Sequence, residues 1–307
     1  MITNTPSQNP LHKLEKSRVR QSFDAAAEHY DDVAVLQREI GERILERLEL
    51  VRLKPGSILD VGAGTGVCSQ ALGRRYKKSH IISLDLAPRM LKYARQRNGW
   101  LHKQFNKWTT KNSYICADAE RLPIADHSIE LIFSNATLQW CDDLEHTFAE
   151  FRRVLKPGGL LMFSTFGPDT LKELRQSWQV ADAGSGEAVH VHDFVDMHDI
   201  GDAMLRANLA DPVMDVENFT LTYPDVYQLM RELKTLGAHN MASERRHTLT
   251  GKTRLKNMAA AYEKLRHHGS LPVTYEVVYG HAWAPLAGKN EVAVSMPVNP
   301  MNPGVRR

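Results

Sequence analysis

Three aspartates each close a short apolar run of the chain, where their carboxylates could hold a polar ligand. Asp60 leads into the glycine turn 62–66 (GAGTG), Asp85 follows 25 residues later, and Asp118 precedes Ala119. Glycine has no Cβ, so the turn lets a ligand approach bare backbone. The carboxylate of Asp85 could accept both hydroxyls of a ribose, and the carboxylate of Asp118 or the backbone peptide group of Ala119 could hold an adenine amino group. Each aspartate could also cap the following helix, but three in succession favour a ligand site.

The elements around these residues alternate between strands and helices. Apolar runs of strand length are separated by helical segments, which predicts a parallel, doubly wound sheet with helices on both faces and hence an α/β, Rossmann-like fold. Two later strands, Phe219–Tyr223 and Val273–Tyr279, enclose a helical stretch, and we expect a small helical cap inserted at about 224–270. The early strands are expected at Ser57–Val61, His80–Asp85, Ser113–Asp118, Ser128–Ser134 and Leu160–Phe166.

The composition of the chain excludes several classes of protein and of binding site. The 307 residues are 42% hydrophobic and 24% charged, with a net charge of only +3, which is too small for the positive field of a sequence-independent nucleic-acid binder. Cys68, Cys116 and Cys141 stand far apart, so they predict no metal cage or disulfide framework and are consistent with a reducing cytoplasm. The histidines lack carboxylate or cysteine partners at ligand spacing, so no metal is expected. No apolar run is long enough to span a bilayer.

Three motifs together resemble the class I S-adenosylmethionine-dependent methyltransferases: Asp60–Gly66 (DVGAGTG) with Asp85, Leu122–Glu130 (LPIADHSIE) and Arg153–Gly159 (RVLKPGG). The glycine turn alone would also fit a dinucleotide enzyme or a plain connection between strand and helix. A nicotinamide enzyme would not be expected to carry the other two motifs. The resemblance implies a seven-stranded sheet with one reversed strand and a site for S-adenosylmethionine. The residues expected to bind this methyl donor are Phe23, Tyr30, Asp60, Gly62, Ala63, Gly64, Gly66, Asp85, Leu86, Met90, Asp118, Ala119 and Asn135.

Over residues 18–284 the chain resembles a narrower family, the malonyl-acyl-carrier-protein O-methyltransferases of biotin synthesis. The resemblance is carried by Ser22–Asp31 (SFDAAAEHYD), Ser134–Cys141 (SNATLQWC), Leu233–Asn240 (LKTLGAHN) and Pro272–Val277 (PVTYEV). It implies methyl transfer to the free carboxylate of a malonyl thioester, giving the ester that primes pimeloyl synthesis. The implied partner is acyl carrier protein bearing malonyl-phosphopantetheine, or malonyl-coenzyme A. The oligomeric state stays open.

The sequence also predicts an organisation of the chain, in which the resemblance implies the N-terminal cover and the residue pattern indicates the cap and the tail. Residues 1–55 form a helical segment over the cofactor, residues 56–284 form the methyltransferase domain with its cap, and residues 285–307 are a disordered tail. We expect the polar stretch 103–112 to be a surface loop.

A carboxylate acceptor sets simple requirements. The reference pKa of a carboxyl group is about 4, so the acceptor is already an anion at neutral pH and needs no general base. The loops after the strands show no obvious His/Asp pair that could serve as one. A cation is expected to orient the carboxylate, with Arg20, Arg152, Arg245 and Arg246 as candidates, although each could be a solvated surface charge. The predicted catalytic set is Tyr30, Gln139, Trp140, Arg152 and Arg245.

Residues 231–256 hold seven basic and two acidic side chains, a net charge of +5. This stretch could receive an acidic carrier protein, although a solvated helix face is the ordinary explanation for such a run. Two other functions remain open. One is a related methyltransferase that acts on another small molecule or on a protein arginine. The other is an assembly factor that binds the cofactor without turnover.

Overall fold

A seven-stranded sheet in the order β3-β2-β1-β4-β5-β7-β6 forms the centre of the computed structural model, which describes residues 13–105, 111–183, 189–241 and 251–286. Strands β1 to β5 are parallel, and β7 runs antiparallel to both β5 and β6. The predicted mostly parallel sheet with one reversed strand is therefore confirmed. The strands are β1 (Ser57–Val61), β2 (His80–Asp85), β3 (Lys111–Cys116), β4 (Ile129–Ser134), β5 (Leu155–Phe166), β6 (Ala210–Tyr223) and β7 (Leu271–Trp283).

Helices cover both faces of the sheet. Neighbouring residues of one strand enter different core clusters, as Ile58 and Leu59 of β1 do, because successive side chains point to opposite faces. This explains why the strands are continuous apolar runs. The helices are α1 (Lys16–Ala26), α2 (Tyr30–Val33), α3 (Val35–Arg47), α4 (Val67–Arg75), α5 (Pro88–Phe105), α6 (Leu144–Val154), α7 (Lys172–Asp182), α8 (Met197–Arg206), α9 (Val226–Thr235) and α10 (Lys252–Glu263), with 3-10 turns at Leu48–Leu50 and Leu138–Trp140.

The region around β3 differs from the sequence prediction. The polar stretch 103–112 is not one loop: its first three residues complete α5, and Lys111 and Asn112 begin β3, where they pair with β2. Residues 106–110 lie outside the described chain. Because β3 ends at Cys116, Asp118 follows the strand instead of closing it. An edge strand with partly exposed polar residues carries little hydrophobic signal, which is why its start was misjudged.

The chain between β6 and β7 contains α9 and α10, at the place expected for the cap. Helix α9 begins after Asp225, whose side chain accepts the amide of Gln228 at 2.8 Å and so caps the helix. Helix α10 packs against α7. The division into an N-terminal segment, a domain and a tail stays a prediction, and residues 287–307 lie outside the described chain. Within the described part, no helix is long and apolar enough to cross a membrane.

Candidate active site

The glycine turn lies where the strand order reverses, between β1 and β4, which is where open α/β sheets bind ligands. Gly62, Gly64 and Gly66 all have positive φ angles, of 70°, 53° and 82°, a conformation that favours glycine. The amide of Gly64 donates a 2.8 Å hydrogen bond to Oδ2 of Asp85, and the amide of Gly62 donates to the carbonyl of Leu84 at 2.8 Å. These bonds hold the turn over the end of β2.

The three glycines meet different surroundings. A Cβ at Gly62 would lie 2.0 Å from Oγ1 of Thr137, and one at Gly66 would lie 2.8 Å from Cβ of Ala94. Both glycines are therefore required by packing inside the protein. A Cβ at Gly64 would meet nothing within 4 Å. Gly64 thus faces open space at the position where bare backbone is expected to meet a ligand.

Asp85 ends β2 with both carboxylate oxygens bonded to backbone. Oδ1 accepts the amide of Ala87 at 2.8 Å, and Oδ2 accepts that of Gly64. Burial raises the pKa of Asp85 to about 6, although these amide bonds act in the opposite direction. Each oxygen retains a second lone pair, so the ionised carboxylate could still accept ribose hydroxyls.

Asp60 is buried in β1, where Ser69 Oγ donates a 2.5 Å hydrogen bond to its Oδ2. Burial raises the pKa of Asp60 to about 7. Ser69 Oγ also lies 2.8 Å from Ser83 Oγ, so the carboxyl group joins strand β1 to α4 and β2. The bonding shown for Asp60 is structural.

A cavity of about 80 Å³ lies beside the turn, and we call it the glycine-turn cavity. Nine of the thirteen predicted donor-binding residues line it: Phe23, Tyr30, Gly62, Gly64, Asp85, Leu86, Met90, Asp118 and Ala119. A smaller cavity of about 50 Å³, on the α3 side of the turn, is lined by Asp60, Ala63 and Asn135. The side chain of Asn135 is already engaged, since Nδ2 donates to Gln37 O and Oδ1 accepts from Ser164 Oγ, each at 2.8 Å. Gly66 lines neither cavity.

Lys16 was missed by the sequence prediction. Its Nζ lies 3.2 Å from Asp118 Oδ1 and 2.5 Å from Glu120 Oε2, and it donates to the carbonyl of Trp140 at 2.9 Å. The residue lines the glycine-turn cavity from α1. No local pattern marks Lys16, because it lies in a charged N-terminal stretch and its partners are more than a hundred residues further along the chain.

Three aromatic rings gather next to the glycine-turn cavity. Phe23 meets Trp140 edge-on at a centroid distance of 5.3 Å and lies 6.5 Å from Tyr30. Burial raises the pKa of the Tyr30 hydroxyl above its ordinary value, so this ring stays neutral. Aromatic faces attract cations, so the cluster is a candidate contact for a positively charged ligand group.

A larger cavity of about 350 Å³ adjoins this cluster, and we call it the large cavity. Four residues line both cavities: Phe23, Tyr30, Ala136 and Trp140. We call this shared wall the junction. Ala136 has a φ of 49°, and a non-glycine residue in this strained conformation is often found at a functional site. The predicted catalytic residues Tyr30, Gln139 and Trp140 all line the large cavity.

Most polar groups of the large cavity are neutral or already paired. Gln139 donates to the carbonyl of Ala136 at 2.6 Å and accepts from Thr165 Oγ1 at 3.2 Å. His192 is buried beside Trp140, with ring centroids 5.1 Å apart. Burial and the charge of Arg175 lower the pKa of His192 to about 4, so this imidazole is neutral at physiological pH.

His190 lines the large cavity and pairs with Asp182, which ends α7 and does not itself line the cavity. His190 Nε2 lies 2.9 Å from Asp182 Oδ2, and its ring stacks on Trp178 at a centroid distance of 3.8 Å. Oδ1 of Asp182 pairs with Nε of Arg254 from α10 at 3.2 Å. The sequence expectation concerned only the loops after the strands, whereas Asp182 belongs to helix α7. Through Asp182, Arg254 links α10 to His190 in the cavity wall.

Of the four expected orienting arginines, the two that the structure describes, Arg20 and Arg152, do not line the cavity. Arg152 lies on α6, whose buried side chains belong to the core cluster on the other side of the sheet. Arg20 is exposed on α1, and Arg245 and Arg246 lie outside the described residues. Among the described residues lining the large cavity there is no Lys or Arg. Arg175 lies behind the wall, donating to the carbonyl of cavity residue Thr170 at 3.2 Å.

The three cysteines all lie in the described part of the chain, and none of them belongs to a metal site there. Cys141 lines the glycine-turn cavity, and burial raises the pKa of its thiol to about 12, so it is not a nucleophile at neutral pH. Cys68, Cys116 and Cys141 are free thiols. The described residues form no cluster of His, Cys, Asp or Glu that could hold a metal ion.

Comparison with known proteins agrees with the methyltransferase resemblance seen in the sequence motifs. A family model described as "Methyltransferase domain" matches residues 59–163. The chain is 53% identical over 274 residues to the malonyl-[acyl-carrier protein] O-methyltransferase of Methylovorus sp. (strain MP688), covering 89% of this chain and 90% of that relative. It is 49% identical over 277 residues to the enzyme of the same name from Gallionella capsiferriformans (strain ES-2), covering 90% and 93%.

The fold is shared more widely. The structure of Haemonchus contortus phosphoethanolamine N-methyltransferase 2 in complex with S-adenosyl-L-methionine matches with a TM-score of 0.52 at 17% identity, covering 87% of this chain and 60% of that chain. At this identity the match shows a common fold.

Proposed function

Because this chain belongs to the malonyl-[acyl-carrier protein] O-methyltransferase family, we propose that it methylates the free carboxylate of a malonyl thioester, with S-adenosylmethionine as donor. The observation that carries the proposal is the junction of Phe23, Tyr30, Ala136 and Trp140, which lines both cavities. Donor and acceptor held in these cavities would meet there. The methyl ester produced would prime pimeloyl synthesis for biotin.

When bound, S-adenosylmethionine supplies a methyl group on a cationic sulfonium, and an acceptor oxygen takes it as the carbon–oxygen bond forms and the carbon–sulfur bond breaks. The malonyl carboxylate is already anionic at neutral pH, so the protein need not remove a proton. Tyr30, Trp140 and Ala136 confine the reacting groups, and positioning of this kind can contribute about 7–11 kcal/mol.

Neutral surroundings suit this reaction. The two opposite charges cancel as the methyl group transfers, so strong ionic contacts would stabilise the separated charges more than the transition state. The described wall of the large cavity contains neutral His192 and apolar side chains, without Lys or Arg. We infer that neutral hydrogen-bond donors orient the carboxylate, with Arg175 contributing charge from behind the wall.

The absence of acids in the same wall weighs against arginine methylation. A guanidinium has a pKa above about 12, and a site that methylates it needs carboxylates to bind it and to accept its proton. Among the described residues that line the large cavity there is no Asp or Glu. The carboxylate acceptor is therefore favoured.

We propose acyl carrier protein as the physiological carrier of the malonyl group. Arg231, Lys234, Lys252 and Lys256 are exposed on α9 and α10, as an acidic partner would require. Arg254 is turned inward to Asp182 and would not take part. Free cysteines fit the predicted cytoplasmic location.

Transfer of a labelled methyl group tests the function. The purified protein should label malonyl-acyl carrier protein and leave acetyl-acyl carrier protein, which lacks the carboxylate, unlabelled. Equal labelling of both would exclude the carboxylate as acceptor. Binding of S-adenosylmethionine without labelling of either would indicate an assembly factor instead.

A further inference from the structure

The large cavity reaches the protein surface beside His239, a residue that lines the cavity and is also exposed. We call residues 237–241 the rim segment. Helix α1 is attached to it at two points. Ser22 Oγ donates to the carbonyl of Gly237 at 3.0 Å and lies 3.3 Å from His239 Nδ1, and the amide of Glu15 donates to the carbonyl of Met241 at 3.2 Å.

Helix α1 therefore has two roles in the site. Val19 and Phe23 on one face line the glycine-turn cavity, and Ser22 on another face meets the rim segment. A substrate arm that runs from solvent to the junction would pass along this helix and the end of α9. Leu233 and Leu236, from α9 and its end, supply apolar wall beside that path.

Two cations flank the rim segment. Arg18 is one turn before Ser22 on the same face of α1, and Lys234 is exposed in the last turn of α9. Both lie next to the rim segment, because Ser22, one turn after Arg18, is 3.3 Å from His239 Nδ1, and the amide of Gly237 donates to the carbonyl of Lys234 at 3.1 Å. Partial burial lowers the pKa of His239, and the charges of Arg18 and Lys234 lower it further. Glu15 lies 3.5 Å from Arg18 and offsets part of its charge.

We propose that Arg18 and Lys234 form a subsite for the phosphate at the far end of the pantetheine arm. The inference rests on the proposed function, because acyl carrier protein and coenzyme A both hold their thioester on phosphorylated pantetheine. A phosphate is too costly to bury in an apolar cavity and stays at its surface. Cations at that surface can hold it through charge-assisted hydrogen bonds.

The test compares two small substrates that differ only in this group, malonyl-pantetheine and malonyl-4′-phosphopantetheine. The variant is Arg18→Ala combined with Lys234→Ala. A matched control, Arg74→Ala with Lys264→Ala, removes the same charge from exposed positions on α4 and after α10. Thermal unfolding and cofactor binding verify that each variant is folded.

We expect the Arg18/Lys234 variant to raise the KM for the phosphorylated substrate about 5- to 30-fold, with kcat unchanged. Its KM for malonyl-pantetheine, and both KM values of the control, should change less than about twofold. An equal rise in KM for the two substrates, or no rise for either, would overturn the proposed phosphate subsite. Malonyl-acyl carrier protein and malonyl-coenzyme A should both show the loss, and a loss confined to the carrier protein would assign these cations to protein docking instead. A wild-type protein that methylates no malonyl thioester would refute the proposed function itself.

Discussion

The amide of Gly64 donates a 2.8 Å hydrogen bond to Oδ2 of Asp85. This contact joins the open glycine of the turn to the acid that ends β2. It fixes the carboxylate beside the one glycine of the three whose Cβ position is open. Backbone and carboxylate thus face the same space, as a ribose-bearing ligand requires.

Replacing Asp85 should weaken cofactor binding. In Asp85→Ala the ribose hydroxyls lose a charged acceptor, which costs about 1.5–3 kcal/mol, or about 10- to 150-fold in Kd for adenosylhomocysteine. Asp85→Asn keeps one acceptor oxygen and should lose less. Calorimetric titration measures both values. Asp215→Ala is the control, since this acid is exposed on β6 and pairs with Arg47. An unchanged Kd in Asp85→Ala would remove the residue from the site.

Cofactor affinity should depend on pH through the same carboxyl group. Its pKa of about 6 lies above the usual value because of burial, so the group gains a proton as the pH falls through 6. Only the ionised form accepts both hydroxyls, and affinity should therefore fall below pH 6, by up to about tenfold per pH unit. Titrations from pH 8 to 5 measure this slope. In Asp85→Asn the pH dependence of cofactor affinity should vanish. If the variant showed the same pH dependence as the wild type, another group would be responsible for it.

Gly64→Ala separates ligand contact from folding. A φ of 53° strains alanine by roughly 1 kcal/mol, but its Cβ would meet no protein atom within 4 Å. We expect a loss of about 1 kcal/mol in unfolding free energy and a loss of cofactor affinity of at least about tenfold, because the methyl group would occupy ligand space. Gly201→Ala in α8 is the matched control, since its Cβ also meets nothing. Unchanged affinity in Gly64→Ala would place the cofactor elsewhere.

Charge reversal in the stretch 231–256 tests carrier docking. The variant Arg245→Glu with Arg246→Glu should raise the KM for malonyl-acyl carrier protein about tenfold or more, because like charges would then face the acidic partner. The KM for malonyl-coenzyme A should change much less. Steady-state kinetics at low salt measure both, and the loss should shrink as salt is added. Equal losses for the two carriers would count against docking through these residues.

The sheet was predictable because each central strand is a continuous apolar run and the turn 62–66 follows the first of them. Nine of the predicted donor-binding residues also lie along one cavity, since the carboxyl ends of parallel strands converge on one edge. Edge strand β3 was less predictable, because partly exposed polar residues leave no clear periodicity.

Contacts between distant segments could not be predicted from local pattern. Lys16 reaches Asp118 only because α1 folds over the sheet, and His190 meets Asp182 only because the chain turns back after α7. The expected cation at the carboxylate was inferred from chemistry without knowledge of the cavity wall. Among its described residues that wall contains no Lys, Arg, Asp or Glu, which fits a reaction that cancels charge.

The pH dependence of kcat tests most directly whether the acceptor is a ready-made anion. When cofactor and malonyl thioester are both saturating, the effect of Asp85 on cofactor binding no longer influences the rate. Under these conditions kcat should stay constant within about twofold from pH 6.5 to 9. Neither neutral His192 nor the Tyr30 hydroxyl should gain or lose a proton in this range. A kcat that rises about tenfold per pH unit across the same range would show that a base must first be deprotonated, and would contradict methyl transfer to a free carboxylate.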